Sequence, residues 1–292
     1  MYSQIDSNKR KTNILIVLFL SFIIALGWFF GYVLQYGYGV FTLSIIISLT
    51  MTWFSYYYGD KVALKTSKAK EIKSTDNPYL FRMVENLSIT SGIPMPKVHI
   101  IDSPALNAFA TGRDPEHASI AVTTGIINAL ENEELEGVIA HELSHIKNYD
   151  IRVMTIVIVL VGTVSLLADM FFRMQLFGGS KDRDNKGNAG MILAIIGIVL
   201  VILSPIVAEI IKLAVSRKRE YLADASGALL TRYPEGLARA LEKISASSVP
   251  LASANSATAH LFISNPLKGK ALSKLFSTHP PIEDRIRELR KM

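Results

Sequence analysis

Residues 133–148 read EELEGVIAHELSHIKN, and this stretch decides how the rest of the chain is interpreted. It predicts a helix with Asn132 as its N-cap and glutamates in its first turn, where negative charge is favourable. His141 and His145 are four residues apart, so they lie about one turn apart on one helix face and can reach a single metal ion. Glu142, beside the first histidine, can take a proton from a metal-bound water.

An ordinary surface helix with two histidines is the alternative interpretation of this stretch. At about 100° per residue, Glu142 falls within a broad stripe of apolar residues, and the two histidines lie along its edge. The apolar members of the stripe are Leu135, Val138, Ile139, Leu143 and Ile146. An unpartnered carboxylate on such a face is costly, and a metal-bound water at the edge would give Glu142 a partner. The pattern therefore favours a metal site.

A third ligand is needed, because a catalytic zinc typically takes three protein ligands and leaves one position for water. In SRKREYLAD, residues 216–224, Glu220 can bind zinc. Asp224, one turn later, can hydrogen-bond a ligand histidine and fix its tautomer. Ala223 and Gly227 share this face, and their small size would let the helix pack closely. Taken alone, an ordinary charged helix is the preferred interpretation of this segment.

The composition of the 292-residue chain indicates a membrane protein. Half of the residues are hydrophobic, the mean hydropathy is +0.31, and the charged fraction of 19% is low for a soluble protein. The net charge of +6 comes from basic residues beside apolar runs, which is typical of membrane-flanking charge. The lack of cysteine excludes disulfides, cysteine-ligated zinc and a cysteine nucleophile. Any metal must therefore be held by histidine and carboxylate.

Four apolar runs are long enough to cross a bilayer as helices, which takes about 20 residues. They cover 12–34, 39–58, 153–172 and 190–213. Lysines at both ends of the first pair place the soluble parts in the cytoplasm and the connector between the second pair outside. The predicted organisation is a transmembrane hairpin (1–58), the first part of a catalytic domain (59–150), a second hairpin (151–213) and the second part of that domain (214–292).

The soluble parts also carry signals for regular elements. Asp76-Asn77-Pro78 predicts the start of a helix. The predicted helices cover 78–91, a segment ending near 230, about 234–247 and a segment from about 281, and the predicted strands cover 97–101 and 119–123.

These motifs, in this order, resemble the M48 family of zinc peptidases. The resemblance extends over nearly the whole chain and includes Asn107-Ala108-Phe109-Ala110-Thr111-Gly112 and Thr278-His279-Pro280-Pro281 with Arg285. Together with the four apolar runs, it implies a mostly helical α+β integral membrane protein with four transmembrane helices and a cytoplasmic zincin-type, gluzincin-like catalytic domain. It implies one Zn²⁺ per chain, bound by His141, His145 and Glu220, with Glu142 as the general base.

The resemblance implies roles for residues outside the metal site as well. Asn107, Ala108 and Phe109 are expected to form an edge strand that binds an extended substrate by strand addition, with a plain loop as the alternative. His279 is expected to steady a developing oxyanion or to occupy zinc in a latent state, unless it only leads into a helix. Arg217 is expected to be a structural partner of nearby carboxylates.

The expected activity is zinc-dependent hydrolysis of peptide bonds within protein substrates. His145 lies about seven residues before the third apolar run and Glu220 about seven after the fourth, which places the metal on the order of 10 Å from the bilayer. The expected substrates are therefore membrane proteins or partly unfolded proteins, cut at the cytoplasmic face of the cell (plasma or inner) membrane. The resemblance implies a quality-control role under stress. The lipid bilayer is an expected partner, and nucleic acid is not.

Three other functions fit parts of the sequence. An M48 enzyme that processes prenylated peptides is expected to have more than four spans. A zinc-stabilised membrane scaffold without turnover would not need Glu142 as a base, and protein would close the fourth position on its zinc. A nucleic-acid binder agrees with the pI near 9.3, but the chain lacks a basic, aromatic-studded face.

Overall fold

The computed structural model describes residues 2–33, 38–158, 217–254, 258–266 and 280–292, and it has the predicted mostly helical α+β class. The helices are α1 (Tyr2–Val33), α2 (Tyr38–Thr66), α3 (Pro78–Ser91), α4 (Thr124–Ala129), α5 (Asn132–Lys147), α6 (150–158), α7 (Arg217–Thr231), α8 (Pro234–Ala246) and α9 (Ile282–Leu289). The strands are β1 (Lys70–Glu71), β2 (Lys97–Ile101), β3 (Ala108–Gly112) and β4 (Ala118–Thr123). Two 3-10 turns cover Pro115–His117 and Ala259–Leu261.

The four strands form one sheet in the order β1-β2-β4-β3, so β3 lies at an edge. β2 and β4 run parallel, and β3 pairs antiparallel with β4, with Phe109 opposite Ala121. Successive side chains of a strand point to opposite faces. Ile120 and Val122 accordingly pack in a core with α3, α5 and α8, whereas Ala121 packs with α2, α6, Leu251, Ala254 and residues 259–262. Both faces of the sheet are therefore covered, which explains why β3 and β4 are buried throughout.

Capping side chains fix where α3 and α5 begin. Helix α3 begins at Pro78 as predicted, and the side chain of its N-cap, Asn77, accepts a backbone N–H of the first turn at 3.0 Å. The prediction of Asn132 as the N-cap of α5 is wrong, since Asn132 is the first helical residue and Glu131 is the cap. The N–H of Glu131 donates to Oε2 of Glu134 at 2.8 Å. The Asn132 side chain accepts instead from the hydroxyl of Tyr79 at 3.1 Å, so it is engaged away from the helix start.

Helix α5 packs against α3, α7, α8 and β3 and is buried along most of its length. Two glycines bring neighbouring backbones into close approach. A Cβ on Gly137 would lie 2.8 Å from the backbone nitrogen of Leu237 in α8. A Cβ on Gly227 in α7 would lie 3.0 Å from the backbone nitrogen of His141. The close packing that the small residue at 227 predicted is thus confirmed, and it sets α7 directly against the first histidine.

Residues 12–33 of the first predicted span lie in α1, the second predicted span, 39–58, lies in α2, and the two helices pack side by side. α1 also packs on α6, through Leu15 and Phe19 against Val153 and Val157. The large apolar side chains that α1 and α2 leave exposed include Ile14, Val17, Leu18, Trp28, Leu43, Ile46, Ile47, Leu49 and Trp53. Over the residues whose placement the structure describes, no helix is both long enough and apolar enough to cross a membrane. The third predicted span begins in α6, and its remainder, the connector and the fourth run lie outside the described residues.

Candidate metal centre

The structure brings the three predicted metal ligands together. His141 and His145 project from one face of α5, and Glu220 comes from the first turn of α7. The two Nε2 atoms are 3.1 Å apart, and the carboxylate oxygens of Glu220 lie 3.9 Å from His141 Nε2 and 3.6 Å from His145 Nε2. All three side chains are buried. Their ligand atoms are grouped closely enough to hold one metal ion.

The facing Nε2 atoms show which ion chemistry the site requires. Nδ1 of His141 lies 2.9 Å from Oδ1 of Asp224, and Nδ1 of His145 lies 3.0 Å from Oδ2 of Asp150. A carboxylate beside Nδ1 favours the ring proton on that atom, so when both rings are neutral the lone pairs of the two Nε2 atoms face each other in a buried space. Two such acceptors repel unless a proton or a metal ion lies between them. Nitrogen ligands about 2.0 Å from a tetrahedral zinc are about 3.3 Å apart, so this donor set fits zinc.

An arginine holds each of the two carboxylates. Arg285, from α9, contacts both oxygens of Asp224, with Nε at 2.8 Å and Nη2 at 2.6 Å. Burial raises the pKa of Asp224, but the Arg285 guanidinium outweighs it and holds that pKa down at about 2. Nη1 of Arg219, from α7, lies 3.3 Å from Oδ1 of Asp150. Each ligand histidine thus contacts an aspartate, and each of these aspartates contacts an arginine.

The charged surroundings act differently on the two rings. Burial lowers the pKa of His141. Burial also acts to lower the pKa of His145, but the carboxylates of Asp150, Glu220 and Glu142 outweigh it and raise that pKa to about 9. The pocket around His145 therefore strongly favours positive charge, as a metal site requires.

Glu142 is buried and follows His141 on α5. Burial raises its pKa to about 7, and the neighbouring Glu220 adds to the rise, while His145 and the backbone N–H of Ala110 act against it. A carboxylate whose pKa lies near the operating pH is suited to accept and return a proton. The contact with Ala110 also places Glu142 beside the outer edge of β3.

The predicted substrate strand lies at the edge of the sheet, but part of that edge is already paired. The backbone N–H of Ile263 donates to the carbonyl of Ala108 at 3.0 Å, and Nδ2 of Asn107 donates to the carbonyl of Ser264 at 3.0 Å. The rings of Phe109 and Phe262 meet edge to face, with centroids 5.0 Å apart. Residues 258–266 therefore run along the outer side of β3 at its start.

Two other predicted site residues lie elsewhere. Arg217 is exposed at the start of α7, and the buried arginines that bind the carboxylates of the site are Arg219 and Arg285. His279 lies outside the described residues.

Sequence reasoning missed Asp150, which contacts His145, and also Arg219 and Asn8, which contact Asp150. Asp150 follows a break at the end of α5, so no helical periodicity connects it with the histidine. Asn8 precedes the histidine by more than a hundred residues, and nothing local distinguishes it from other polar residues.

Comparison with known proteins agrees with this geometry. Residues 74–292 match the model of the family Peptidase family M48. The chain is 47% identical over 292 residues to "Protease HtpX homolog" of Tropheryma whipplei (strain TW08/27), covering 100% of this chain and 98% of that protein. It is 45% identical over 297 residues to "Protease HtpX homolog" of Streptococcus uberis, covering 100% of both. The solved structure of S. mikatae Ste24p matches with a TM-score of 0.51 and 17% identity, over 99% of this chain and 67% of that one, which supports the fold alone.

Proposed function

The chain belongs to peptidase family M48 and is a metallopeptidase, and from this premise we propose that it is a zinc-dependent endopeptidase embedded in the cell membrane. We propose further that it cuts membrane proteins or misfolded proteins at the cytoplasmic face. The observation that carries the proposal is the pair of buried Nε2 atoms, 3.1 Å apart and each turned inward by a carboxylate on its Nδ1. Glu220 adds the third ligand, and Glu142 adds the base.

The mechanism assigns one task to each group. His141, His145 and Glu220 would hold a zinc ion, which would supply Lewis-acid chemistry to the scissile carbonyl and to water. Glu142 accepts the proton of the attacking water and then delivers a proton to the leaving amine. Asp224 keeps the proton of His141 on Nδ1, so that Nε2 remains a ligand. The products are two peptides, and no covalent intermediate with the protein forms.

A membrane setting is supported by the surface of α1 and α2. Large apolar side chains such as Leu18, Ile46 and Trp53 are exposed there, and contiguous exposed apolar surface marks contact with a membrane or another protein. The same helices contain the apolar runs 12–34 and 39–58, with Lys9, Arg10 and Lys11 before the first. Basic residues flank spans on the cytoplasmic side. The proposed orientation places residues 1–11 and the metal centre on that side.

The partly covered edge of β3 restricts the class of substrate. A substrate strand that pairs with β3 at Ala108 must take the place of Ile263, whose N–H already donates to that carbonyl. Only an extended segment with unpaired backbone groups can compete in this way. Such segments are found in unfolded proteins and in loops, and this supports a role in protein quality control.

The test is cleavage of an unfolded membrane protein in detergent by wild type, Glu142→Gln and Glu133→Gln, each with its zinc content measured. Glu133 lies in the exposed first turn of the same helix and serves as the control. We expect Glu142→Gln to retain zinc and lose at least about 10²-fold in kcat, the usual contribution of a general base. Glu133→Gln should match wild type. Equal cleavage by all three proteins would contradict the assignment of the base, and the scaffold alternative would then stand.

A further inference from the structure

The N-terminal helix α1 reaches the metal centre through one side chain. Asn8 is 1% exposed, and its Nδ2 donates to Oδ1 of Asp150 at 2.7 Å and to the carbonyl of Asn148 at 2.8 Å. Nη1 of Arg219 donates to Oδ1 of Asn8 at 3.4 Å. Both hydrogens of the amide and its oxygen are therefore used, and the donors and acceptors around it fix its orientation.

These contacts converge on the carboxylate that holds His145. Asp150 places Oδ2 against Nδ1 of His145 at 3.0 Å and presents Oδ1 to Asn8 and Arg219. A carboxylate is oriented by all the donors on its two oxygens, so the direction of Oδ2 depends on what holds Oδ1. The amide Nδ2 of Asn8 donates to Oδ1 of Asp150 at 2.7 Å, whereas Nη1 of Arg219 donates to the same oxygen at 3.3 Å. Within the described residues, Asn8 is therefore the closer of these two donors.

The backbone explains why an additional support is needed at this point. Helix α5 ends at Lys147, and Tyr149 has a left-handed conformation with φ of 60° before α6 begins at 150. Asn8 bonds to both sides of this turn, at the Asn148 carbonyl and the Asp150 carboxylate. The next residue of α1, Lys9, places Nζ 4.8 Å from the ring centroid of Tyr149. Consecutive residues of α1 thus contact all three residues of the turn.

We propose that Asn8 is a positioning residue of the metal centre, which acts through Asp150 to hold the ring of His145 in its metal-binding orientation. The N-terminal helix is then part of the peptidase site as well as a membrane anchor. This inference rests on the zinc site proposed above. It also agrees with the proposed orientation, in which residues 1–11 lie on the same side of the membrane as the metal centre.

The experiment measures the zinc dissociation constant of the full-length chain in detergent, by competition with a chromophoric chelator. The variants are Asn8→Ala, Asn8→Leu, which fills the same space without hydrogen bonds, and Asn13→Ala. Asn13 is an exposed asparagine on the same helix and provides a matched control. Loss of an outer partner of a metal ligand typically weakens metal affinity by 10–100-fold. Asn8 contacts Asp150 and acts on the metal ligand only through it, so we expect the lower end of this range. Both Asn8 variants should raise the zinc dissociation constant roughly tenfold, and Asn13→Ala should leave it unchanged.

A double-mutant cycle separates positioning from general packing. In an Asp150→Ala background, Asn8→Ala should have no further effect on zinc affinity, since the residue through which it acts is gone. Should Asn8→Ala not fold, Asn8→Leu provides the same comparison. Wild-type zinc affinity in both Asn8 variants, or an equal loss with and without Asp150, would overturn the inference and leave the zinc site intact. A wild-type chain that binds no zinc would overturn both the inference and the proposed function.

Discussion

Replacing Gly227 with alanine tests whether the close approach of α7 and α5 sets the geometry of the metal centre. The added Cβ would lie 3.0 Å from the backbone nitrogen of His141, 3.2 Å from its Cα and 3.3 Å from the carbonyl carbon of Ala140. Carbon atoms pack best at about 3.5–4.0 Å. The obstructing atoms belong to a helix backbone, so α7 must retreat by a few tenths of an ångström. Glu220 lies on the same face of α7 and would move with it.

The structure gives the size of the expected effect. Overpacking of this kind costs about 1–3 kcal/mol. Alanine gains about 1 kcal/mol over glycine inside a helix. The net change in the free energy of unfolding is therefore a loss of about 0–2 kcal/mol. A misplacement of about 1 Å can cost about 10²-fold in rate, so a retreat of a few tenths of an ångström should lower kcat by roughly 4–10-fold.

The assay compares zinc affinity, kcat and thermal midpoint in detergent for wild type, Gly227→Ala and Gly39→Ala. Gly39 is the second residue of α2, where an added Cβ meets nothing within 4 Å, so this variant adds the same methyl group without the clash. We expect activity and zinc affinity to fall only in Gly227→Ala. Unchanged kcat and zinc affinity in that variant would show that Glu220 tolerates the shift, and the reasoning from close packing would be refuted.

Two further predictions concern Arg285 and the metal itself. Arg285→Met leaves Asp224 buried without its guanidinium partner. This should lower the free energy of unfolding by about 3–5 kcal/mol and the thermal midpoint by on the order of 10 °C. The control Arg290→Met breaks ion pairs that are partly or fully exposed, so it should change the midpoint little. Removal of metal with a chelator should lower the thermal midpoint of wild type. Zinc at about 100 times its dissociation constant should restore about 2.7 kcal/mol of the free energy of unfolding. Glu220→Ala, which lacks a ligand, should respond weakly to both treatments.

Much of the fold is predictable from local patterns because those patterns have local causes. The helix at Pro78–Ser91 and the strand at Lys97–Ile101 agree with their predicted bounds, since an N-cap, a proline and a β-rich run act within a few residues. The N-cap of α5 was misplaced by one residue, because the sequence does not show that Tyr79 binds the side chain of Asn132. The order of strands, with β3 at the edge beyond β4, depends on long-range packing that no local pattern encodes.

The metal centre likewise has a part that local patterns predict and a part that they do not. The proximity of His141 and His145 follows from helical spacing, and Glu220 and Asp224, which share one face of α7, both lie beside His141 in the structure. Asp150 could not be predicted from spacing, because the left-handed turn before α6 sets its direction. Its partners are even less accessible to sequence reasoning, since they lie on α1 and α7.

The buried charges around the site explain why so many residues are recruited to it. Four buried carboxylates surround the histidines, namely Asp150, Glu142, Glu220 and Asp224, and two buried guanidinium groups, Arg219 and Arg285, face them. Buried charges are stable only when compensated. With Glu142 ionised and both imidazoles neutral, as metal binding requires, the carboxylates of this group exceed the guanidinium groups by two within the described residues, which is the charge of one divalent cation. The raised pKa of His145 reports the same imbalance, because neighbouring carboxylates outweigh burial there, whereas burial is the main cause of the raised pKa of Glu142 and Glu220 only adds to it. The arginines thus reduce the negative charge of the site to the amount that one zinc ion can balance. The negative charge that remains would attract the metal to the two facing imidazoles.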